Sequence, residues 1–378
     1  MADVREVPRN GYRVLSTFSG CGGSCLGFEM AGFEVVGASE FVPVAAQTYR
    51  ANHPGVLVDT GDVRALDPER WMESLGIERG VDVMEGSPPC ASFSTSGRRS
   101  KGWGQVKAYS DRTQRTDDLF YEFARVRDGV QPKVFVAENV AGLVKGVSKG
   151  YFKEILARLR EGYRVEARVL DAQWLGVPQA RSRLIFVGVR DDLDAEPAFP
   201  SPLPYRYGIS DVLPGLRSVS QRWPGSGLRV AQQVGRPIGA IRSEIDWQDW
   251  HLTGDALTHD PETGQRIALD DLAIGRAYDQ MRPGRSSERY QNLSRPALGR
   301  PAGTITATTA AVQAAGVAHP TERRKFTLAE LRVLASFPED FVLTGTYAQR
   351  AERIGRAVPP LMMAAIAEAI RDDVLPKC

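Results

Sequence analysis

Short apolar runs recur along the first half of the chain, separated by glycine-rich turns and amphipathic stretches. The runs predicted as buried strands are residues 12–18, 33–39, 81–84, 132–140 and 184–189. Amphipathic periodicity predicts helices at residues 117–126 and 151–161. Strands that alternate with helices in this way are typical of a parallel sheet with helices on both faces. The pattern therefore predicts an α/β fold with a doubly wound, mostly parallel sheet.

This alternation ends after Arg190. Residues 197–293 are rich in Pro, Gly, Trp and Arg and show no clear period, whereas residues 326–337 and 359–371 again have the pattern of amphipathic helices. The chain is expected to divide into three parts, at residues 1–195, 196–300 and 301–378.

A cysteine follows the third apolar run directly. Cys90 stands behind Pro88 and Pro89 in the segment Gly86-Ser-Pro-Pro-Cys-Ala91. Two prolines fix φ and remove two backbone donors, so the chain leaves the strand in one extended direction and holds the next side chain over the sheet edge. This placement suits an attacking sulfur, although a lone cysteine is more often a buried free thiol.

Other polar side chains mark the ends of neighbouring strands. Glu138 and Asn139 close the fourth apolar run, and Arg181 and Arg183 precede the fifth. Ligands of open α/β sheets bind at the carboxyl ends of strands, so Cys90 and Glu138 are expected to converge there although they are far apart in sequence. The alternative for Glu138 is a capping or salt-bridged surface acid.

A glycine-rich turn follows the first strand, in the segment Ser19-Gly-Cys-Gly-Gly-Ser-Cys-Leu-Gly27. Glu40 ends the second strand, twenty residues after Gly20, where nucleotide-binding folds place the acid that holds ribose hydroxyls. Asp62 follows the next strand. Because Cys25 replaces the third glycine of G-x-G-x-x-G, an adenosine cofactor without phosphates fits better than a dinucleotide.

Composition narrows the class of protein only modestly. The chain has 378 residues, 42% of them hydrophobic, and can bury a large core. It contains no apolar stretch of about 18 residues and no signal-peptide pattern, so we expect a cytoplasmic protein without a membrane span. Four cysteines predict neither a disulfide framework nor a zinc site, and no metal is expected.

Basic residues cluster after the cysteine. Arg98, Arg99 and Lys101 lie in a glycine-interrupted stretch, although the net charge of the whole chain is only +2. Such a stretch is typical of a loop that contacts phosphates. The alternative is a solvated charged face.

Together these motifs resemble, in order and over most of the chain, the DNA (cytosine-5)-methyltransferase family of bacterial or phage type. The matching segments are Phe18–Gly23, Gly86–Ser94, Glu138–Val140, Gln179–Arg183, Arg295–Thr306 and Gly355–Pro360. The resemblance implies the Rossmann-like fold of class I S-adenosylmethionine-dependent methyltransferases. It also implies that residues 196–300 form a target-recognition domain and that residues 301–378 return to the catalytic domain.

The resemblance assigns roles to individual residues. Cys90 would add to ring carbon 6 of a flipped cytosine, Glu138 would bind the ring, Arg183 would hold its carbonyl oxygen and Arg181 would orient the loop. Residues expected at S-adenosylmethionine are Phe18, Gly20, Gly22, Gly23, Glu40, Asp62, Val63, Pro88, Leu119, Arg356, Ala357 and Val358. Residues expected at DNA are Ser94, Arg98, Arg99, Lys101 and Gln179.

Two positions depart from the family pattern. Ala91 stands where the family commonly has Gln, and Arg356 stands where it has Asn, near the methionine end of the cofactor. A guanidinium beside a sulfonium needs a negative partner. That partner is either the cofactor's own carboxylate or a nearby acid, unless Arg356 points to solvent. The alternative is a donor with an extra carboxylate, carboxy-S-adenosylmethionine, which would yield 5-carboxymethylcytosine.

The partners implied are double-stranded DNA and a cognate restriction endonuclease, with the enzyme acting as a monomer. A nicotinamide oxidoreductase would share the first two strands but gives no role to Cys90 or Glu138. An inactive DNA-binding homologue should lack one of these two residues. A transfer-RNA methyltransferase of the same family remains open, although the length of the recognition region favours duplex DNA.

Overall fold

The computed structural model describes most of the chain. The described residues are 1–77, 80–89, 107–109, 112–114, 118–145, 149–213, 257–270, 273–290, 293–308 and 317–378. They form two compact units, which are treated separately below. The first unit comprises Met1–Val7, Ala172–Arg181 and Pro202–Met362, and the second comprises Pro8–Asp171, Ser182–Ser201 and Met363–Cys378.

A seven-stranded sheet forms the centre of the second unit. Its strands are β1 (Arg13–Thr17), β2 (Glu34–Ser39), β3 (Leu57–Asp59), β4 (Val83–Gly86), β7 (Val134–Val140), β8 (Tyr163–Asp171) and β9 (Ser182–Arg190), and a separate two-stranded ribbon joins β5 (Lys107–Tyr109) to β6 (Arg112–Gln114). The order in the sheet is β3-β2-β1-β4-β7-β9-β8. The first five strands in this order pair in parallel, and β9 is antiparallel to both its neighbours. The prediction of a mostly parallel α/β sheet is confirmed.

The sequence pattern missed β8. This strand lies at the edge of the sheet, and its side chains do not form a continuous buried run, with Val169 49% exposed. An edge strand needs few apolar residues, so its composition resembles that of a loop.

Helices connect the strands of this unit. They are α2 (Gly23–Met30), α3 (Pro43–Asn52), α4 (Pro68–Ser74), α5 (Leu119–Val130) and α6 (Lys149–Leu159). The core on the α5 side contains Phe123 and Phe135, whose rings meet edge to face at 6.0 Å. Arg127 of α5 is fully buried there, with its guanidinium 4.6 Å from the centre of the Tyr163 ring and Nη1 donating to the carbonyl of Leu159. This buried cation is tolerated because the carboxylate of Asp128, aromatic faces and carbonyl oxygens replace water around it.

The first unit is built from short elements. They are α1 (Ala2–Arg5), α7 (Ile209–Val212), α8 (Ala273–Asp279), β10 (Arg285–Ser286), β11 (Ser294–Arg295), α9 (Leu328–Leu334), α10 (Tyr347–Arg356) and the start of α11 (Pro360–Asp373). Thr327 and Glu330 form a capping box that begins α9. The helices predicted at residues 326–337 and 359–371 are present as α9 and α11, whereas α10 was not predicted. Among the described residues, none of the helices combines the length and apolarity needed to cross a bilayer.

Candidate active site

The turn between β1 and α2 has a backbone that few residues can adopt. Phe18, Gly20 and Gly22 have φ values of 52°, 58° and 92°. At Gly22, which caps α2, an added Cβ would lie 2.3 Å from Nε2 of His53. Gly22 therefore requires glycine both for its φ and for space. We refer to residues 18–23 as the glycine turn.

Glu40 holds the glycine turn from the end of β2. Its two carboxylate oxygens accept the backbone N–H groups of Gly20 and Val42, each at 2.7 Å. The side chain is only 7% exposed. Because a carboxylate oxygen has two lone pairs, the same group can also accept a hydroxyl of a ligand lying on the turn.

Asp62 follows β3 and caps a single 3-10 turn, Val63–Ala65, by accepting the backbone N–H of Arg64 at 3.0 Å. The guanidinium of Arg64 bridges Asp62, at 3.1 Å, and Asp118, at 2.7 Å. The hydrogen bonds that Arg64 donates to Asp118 raise the pKa of Arg64. Val63 and Leu119 are buried beside this bridge. The sequence gave no indication that Arg64 would bridge Asp62 and Asp118.

The ends of β7 and β9 bring Glu138 and Arg183 together. Glu138 is opposite Ile185 in the antiparallel register, and Arg183 lies two residues away on the same face. Nε of Arg183 is 2.7 Å from Oε1 of Glu138, and the two side chains are 13% and 11% exposed. Burial lowers the pKa of Arg183, and the charge of Glu138 opposes that shift. The pair therefore presents one cation and one carboxylate in a largely dry environment.

The segment that leads to Cys90 is attached to the same region. Asn139 donates its side-chain amide to the carbonyl of Pro88 at 3.0 Å. This bond joins the end of β7 to the Pro-Pro segment after β4. Cys90 itself lies outside the described residues, as do Ser94, Arg98, Arg99 and Lys101.

Gln179 and Arg181 belong to the first unit and are both buried. Arg181 donates Nη1 to the carbonyl of Ile305 at 2.9 Å and Nη2 to the carbonyl of Gly355 at 3.0 Å. The side-chain oxygen of Gln179 accepts the N–H of Ile305 at 3.0 Å, and its amide donates to the carbonyl of Leu334 at 3.5 Å. In this structure both side chains therefore bind the backbone of their own unit.

Arg356 ends α10 and contacts an acid of the same helix. Its Nε is 2.7 Å from Oε1 of Glu352. Burial opposes ionisation of Glu352, but the charges of Arg353 and Arg356 hold its pKa below the ordinary value. Ala357 caps the helix, and Val358 is buried.

Residues 12–372 match the C-5 cytosine-specific DNA methylase family. The chain belongs to this family. The identification as a DNA (cytosine-5)-methyltransferase, made from the motifs, is thereby confirmed.

Relatives in this family align along almost the whole chain. The type II methyltransferase M1.HphI of Haemophilus parahaemolyticus is 32% identical over 362 residues, which are 94% of this chain and 86% of that protein. The type II methyltransferase M.XorII of Xanthomonas oryzae pv. oryzae is 31% identical and covers 93% of this chain and 82% of its own length. The family match therefore extends across both compact units.

Solved structures share the fold. A chain described as a DNA modification methyltransferase encoded within an E. coli prophage superposes with a TM-score of 0.70 at 22% identity and covers 96% of this chain and 99% of its own. The S. pombe Dnmt2 methyltransferase superposes with a TM-score of 0.56 at 18% identity, covering 94% and 96%. These likenesses agree with the class I methyltransferase fold expected from the sequence.

Proposed function

We propose that this enzyme methylates carbon 5 of a cytosine flipped out of double-stranded DNA, through a covalent adduct between Cys90 and ring carbon 6. The observation that carries the proposal is the Glu138–Arg183 pair at adjacent strand ends, which joins an acceptor and a fork of donors in a nearly buried place. Cytosine presents complementary groups, a ring nitrogen and an amine beside a carbonyl oxygen. Because its reactive carbons are inaccessible inside a duplex, the base must leave the stack.

The protein side chains account for the individual steps. The Cys90 thiolate adds to carbon 6 and makes carbon 5 nucleophilic. Glu138, once it carries a proton, donates it to ring nitrogen 3 and accepts from the amine, so the negative charge that thiolate addition places on the ring is neutralised. Arg183 holds the carbonyl oxygen of the base and keeps Glu138 in place. After group transfer, water takes up the carbon 5 proton as the bond between carbon 6 and the sulfur breaks, which expels the thiolate and restores the ring.

S-adenosylmethionine would supply the electrophilic methyl group. The glycine turn fits an adenosine ligand because no atom of a non-adjacent described residue lies within 4 Å of the position that a Cβ of Gly20 would take, so a ligand can approach the backbone there closely. Phe18 would stack on the adenine, Glu40 would accept ribose hydroxyls, and Asp62 with Val63 would contact the adenine edge. Pro88 and Leu119 would complete the pocket.

The pairing of Arg356 with Glu352 supports methyl transfer over carboxymethyl transfer. An anion of the same helix already stands at 2.7 Å, so no additional carboxylate on the donor is needed to balance the guanidinium. Carboxy-S-adenosylmethionine stays a second candidate because Arg356 replaces a neutral residue of the family pattern. In that case Arg356 would exchange Glu352 for the donor carboxylate.

Competition between the two donors tests this choice. Purified enzyme is offered both with duplex DNA, and the modified nucleosides are identified by mass spectrometry. We expect 5-methylcytosine from the wild type, and from Arg356→Asn as the matched control. Glu352→Gln, which removes the carboxylate partner, should increase any transfer of carboxymethyl groups. Predominant 5-carboxymethylcytosine from the wild type would instead establish the second candidate.

The covalent step is tested with 5-fluorocytosine in the target site, because fluorine cannot leave as a proton. We expect a complex that survives denaturation with the wild type and none with Cys90→Ser. Duplex DNA and transfer RNA offered in parallel distinguish the two polymer substrates. Modification of transfer RNA alone would overturn the DNA assignment.

We further propose that residues 196–300 read the DNA sequence and that residues 301–378 return to the catalytic domain. The protein would act as a cytoplasmic monomer, and its partner would be a cognate restriction endonuclease. Exchange of residues 197–293 for those of a relative should change the target sequence while methylation continues. Unchanged specificity would move base reading to residues 96–115. Light scattering of the enzyme on duplex DNA tests the monomeric state.

A further inference from the structure

A second carboxyl group lies inside the central sheet, on the strand next to that of Glu138. Glu85 is the third residue of β4 and is 1% exposed. Its strand is otherwise apolar, and a buried carboxyl group destabilises a fold unless it has compensating hydrogen bonds. The chemistry described above assigns no role to this side chain.

Two donors meet one oxygen of Glu85. The parallel register places Ser16 of β1 directly opposite Glu85, and the Ser16 hydroxyl donates to Oε1 of Glu85. The thiol of Cys25, in α2, donates to the same oxygen at 3.6 Å. Glu85 thus contacts both elements that the glycine turn connects.

Hydrogen bonds continue from Ser16 into the glycine turn. Because Ser16 gives its one hydroxyl proton to Glu85, Ser19 donates to Oγ of Ser16 at 2.7 Å, and the carbonyl of Ser39 lies 3.3 Å from the same Oγ of Ser19. The backbone N–H of Ser19 donates to the same carbonyl at 3.1 Å, and the N–H of Gly22 donates to the carbonyl of Ser19 at 2.9 Å. Ser19 therefore joins the turn to β1 and β2, in addition to the bond that Gly20 donates to Glu40.

We propose that Glu85 is a positioning residue for the cofactor: by accepting the Ser16 hydroxyl it orients Ser19, and Ser19 fixes the glycine turn on which the adenosine would lie. This inference rests on the proposed function, which places the cofactor on that turn. Glu85 touches neither the cofactor nor the base in this proposal, and it acts on the turn through Ser16, beside its second contact with Cys25 of α2.

The test measures binding of S-adenosylmethionine and S-adenosylhomocysteine to the full chain by titration calorimetry. Glu85→Ala should raise Kd by at least about tenfold, the factor expected for loss of a hydrogen bond to a charged group. Glu85→Gln should restore Kd to within about threefold of the wild type, because its carbonyl oxygen accepts the same hydroxyl. In turnover assays the Ala variant should raise the KM for cofactor far more than it lowers kcat.

Ser16→Ala provides a second, milder variant that keeps the carboxyl group. It should raise Kd about as much as Glu85→Ala, and the double variant should be no weaker than either single one, because both changes interrupt one chain of hydrogen bonds. Met84→Ala is the matched control, since it removes a buried side chain from the same strand without touching the hydroxyls. Its Kd should equal that of the wild type.

The possible outcomes distinguish failure of the Glu85 inference from failure of the proposed cofactor site. A wild-type protein that binds neither ligand overturns the proposed cofactor site and this inference with it. A wild type that binds, with unchanged Kd in Ser16→Ala, overturns the role of Glu85 alone. An equal loss in Met84→Ala also overturns it, because general loosening of β4 would then explain the effect.

Discussion

Replacing Glu85 by Gln should stabilise the protein in a strongly pH-dependent way. Burial raises the pKa of Glu85 from its ordinary value of 4.5 to about 7, against hydrogen bonds from Ser16 and Cys25 that lower it. The charge of Glu138 adds to the increase. The folded protein therefore binds a proton on Glu85 more tightly than the unfolded chain does.

The sign and size follow from linkage. Below about pH 4.5 the carboxyl is protonated in both states, and the raised pKa costs nothing. As the pH rises from about 4.5 to 7 the unfolded chain ionises first, so the free energy of unfolding falls. It levels off above about pH 7. A difference of about 2.5 pKa units at 1.36 kcal/mol each gives a cost of about 3 kcal/mol at pH 8, and below about 1 kcal/mol at pH 5.

Glutamine keeps the shape and the acceptor oxygen but cannot ionise. Thermal unfolding of the wild type and Glu85→Gln, compared at pH 5 and pH 8, measures the effect. The cost at pH 8 exceeds that at pH 5 by about 2 to 2.5 kcal/mol, which for a cooperative unit of 150–250 residues corresponds to about 4 to 10 °C, so the midpoint of the variant should gain roughly that much at pH 8 relative to pH 5. Met84→Ala should lower the midpoint about equally at both values. A Glu85→Gln offset that is the same at pH 5 and pH 8 would refute the reasoning.

Three further substitutions test other parts of the fold. Gly22→Ala should lower the free energy of unfolding by about 2–5 kcal/mol and weaken cofactor binding, because the φ of 92° and the nearby His53 exclude a methyl group. Calorimetry of the variant and the wild type measures both losses. Arg181→Lys should lower the free energy of unfolding by about 3 kcal/mol, since one ammonium cannot replace the guanidinium fork that reaches the carbonyl of Gly355. Faster amide exchange in residues 302–308 would show this loss. Burial lowers the pKa of Lys325 to about 8, so Lys325→Met should raise the free energy of unfolding most below pH 8. In thermal melts the increase in midpoint should shrink as the pH rises towards 10.5.

The sequence by itself determined the family and the elements whose signals are local. Apolar runs predict buried strands. The motif at Phe18–Gly23 is recognised from its glycine positions, with a strand before it and a helix after it. The structure contains β1, β2, β4, β7 and β9 at those runs. The polar residue directly after the run at 81–84, Glu85, was also visible in the sequence, but its partner was not. Its meaning depends on Ser16, which is 69 positions away.

Tertiary structure alone decided which of the motif residues meet. Glu138 contacts Arg183 because β9 runs antiparallel to β7 in a particular register, and no local pattern encodes pairing over such a separation. Arg181 is two residues earlier, yet it falls in the other compact unit and binds carbonyls near the C-terminus. The partner of Arg356, by contrast, is local, because α10 places Glu352 one turn away on the same face. The type of a residue determines its possible chemistry, but for pairs such as Glu138 and Arg183 the contact depends on long-range packing.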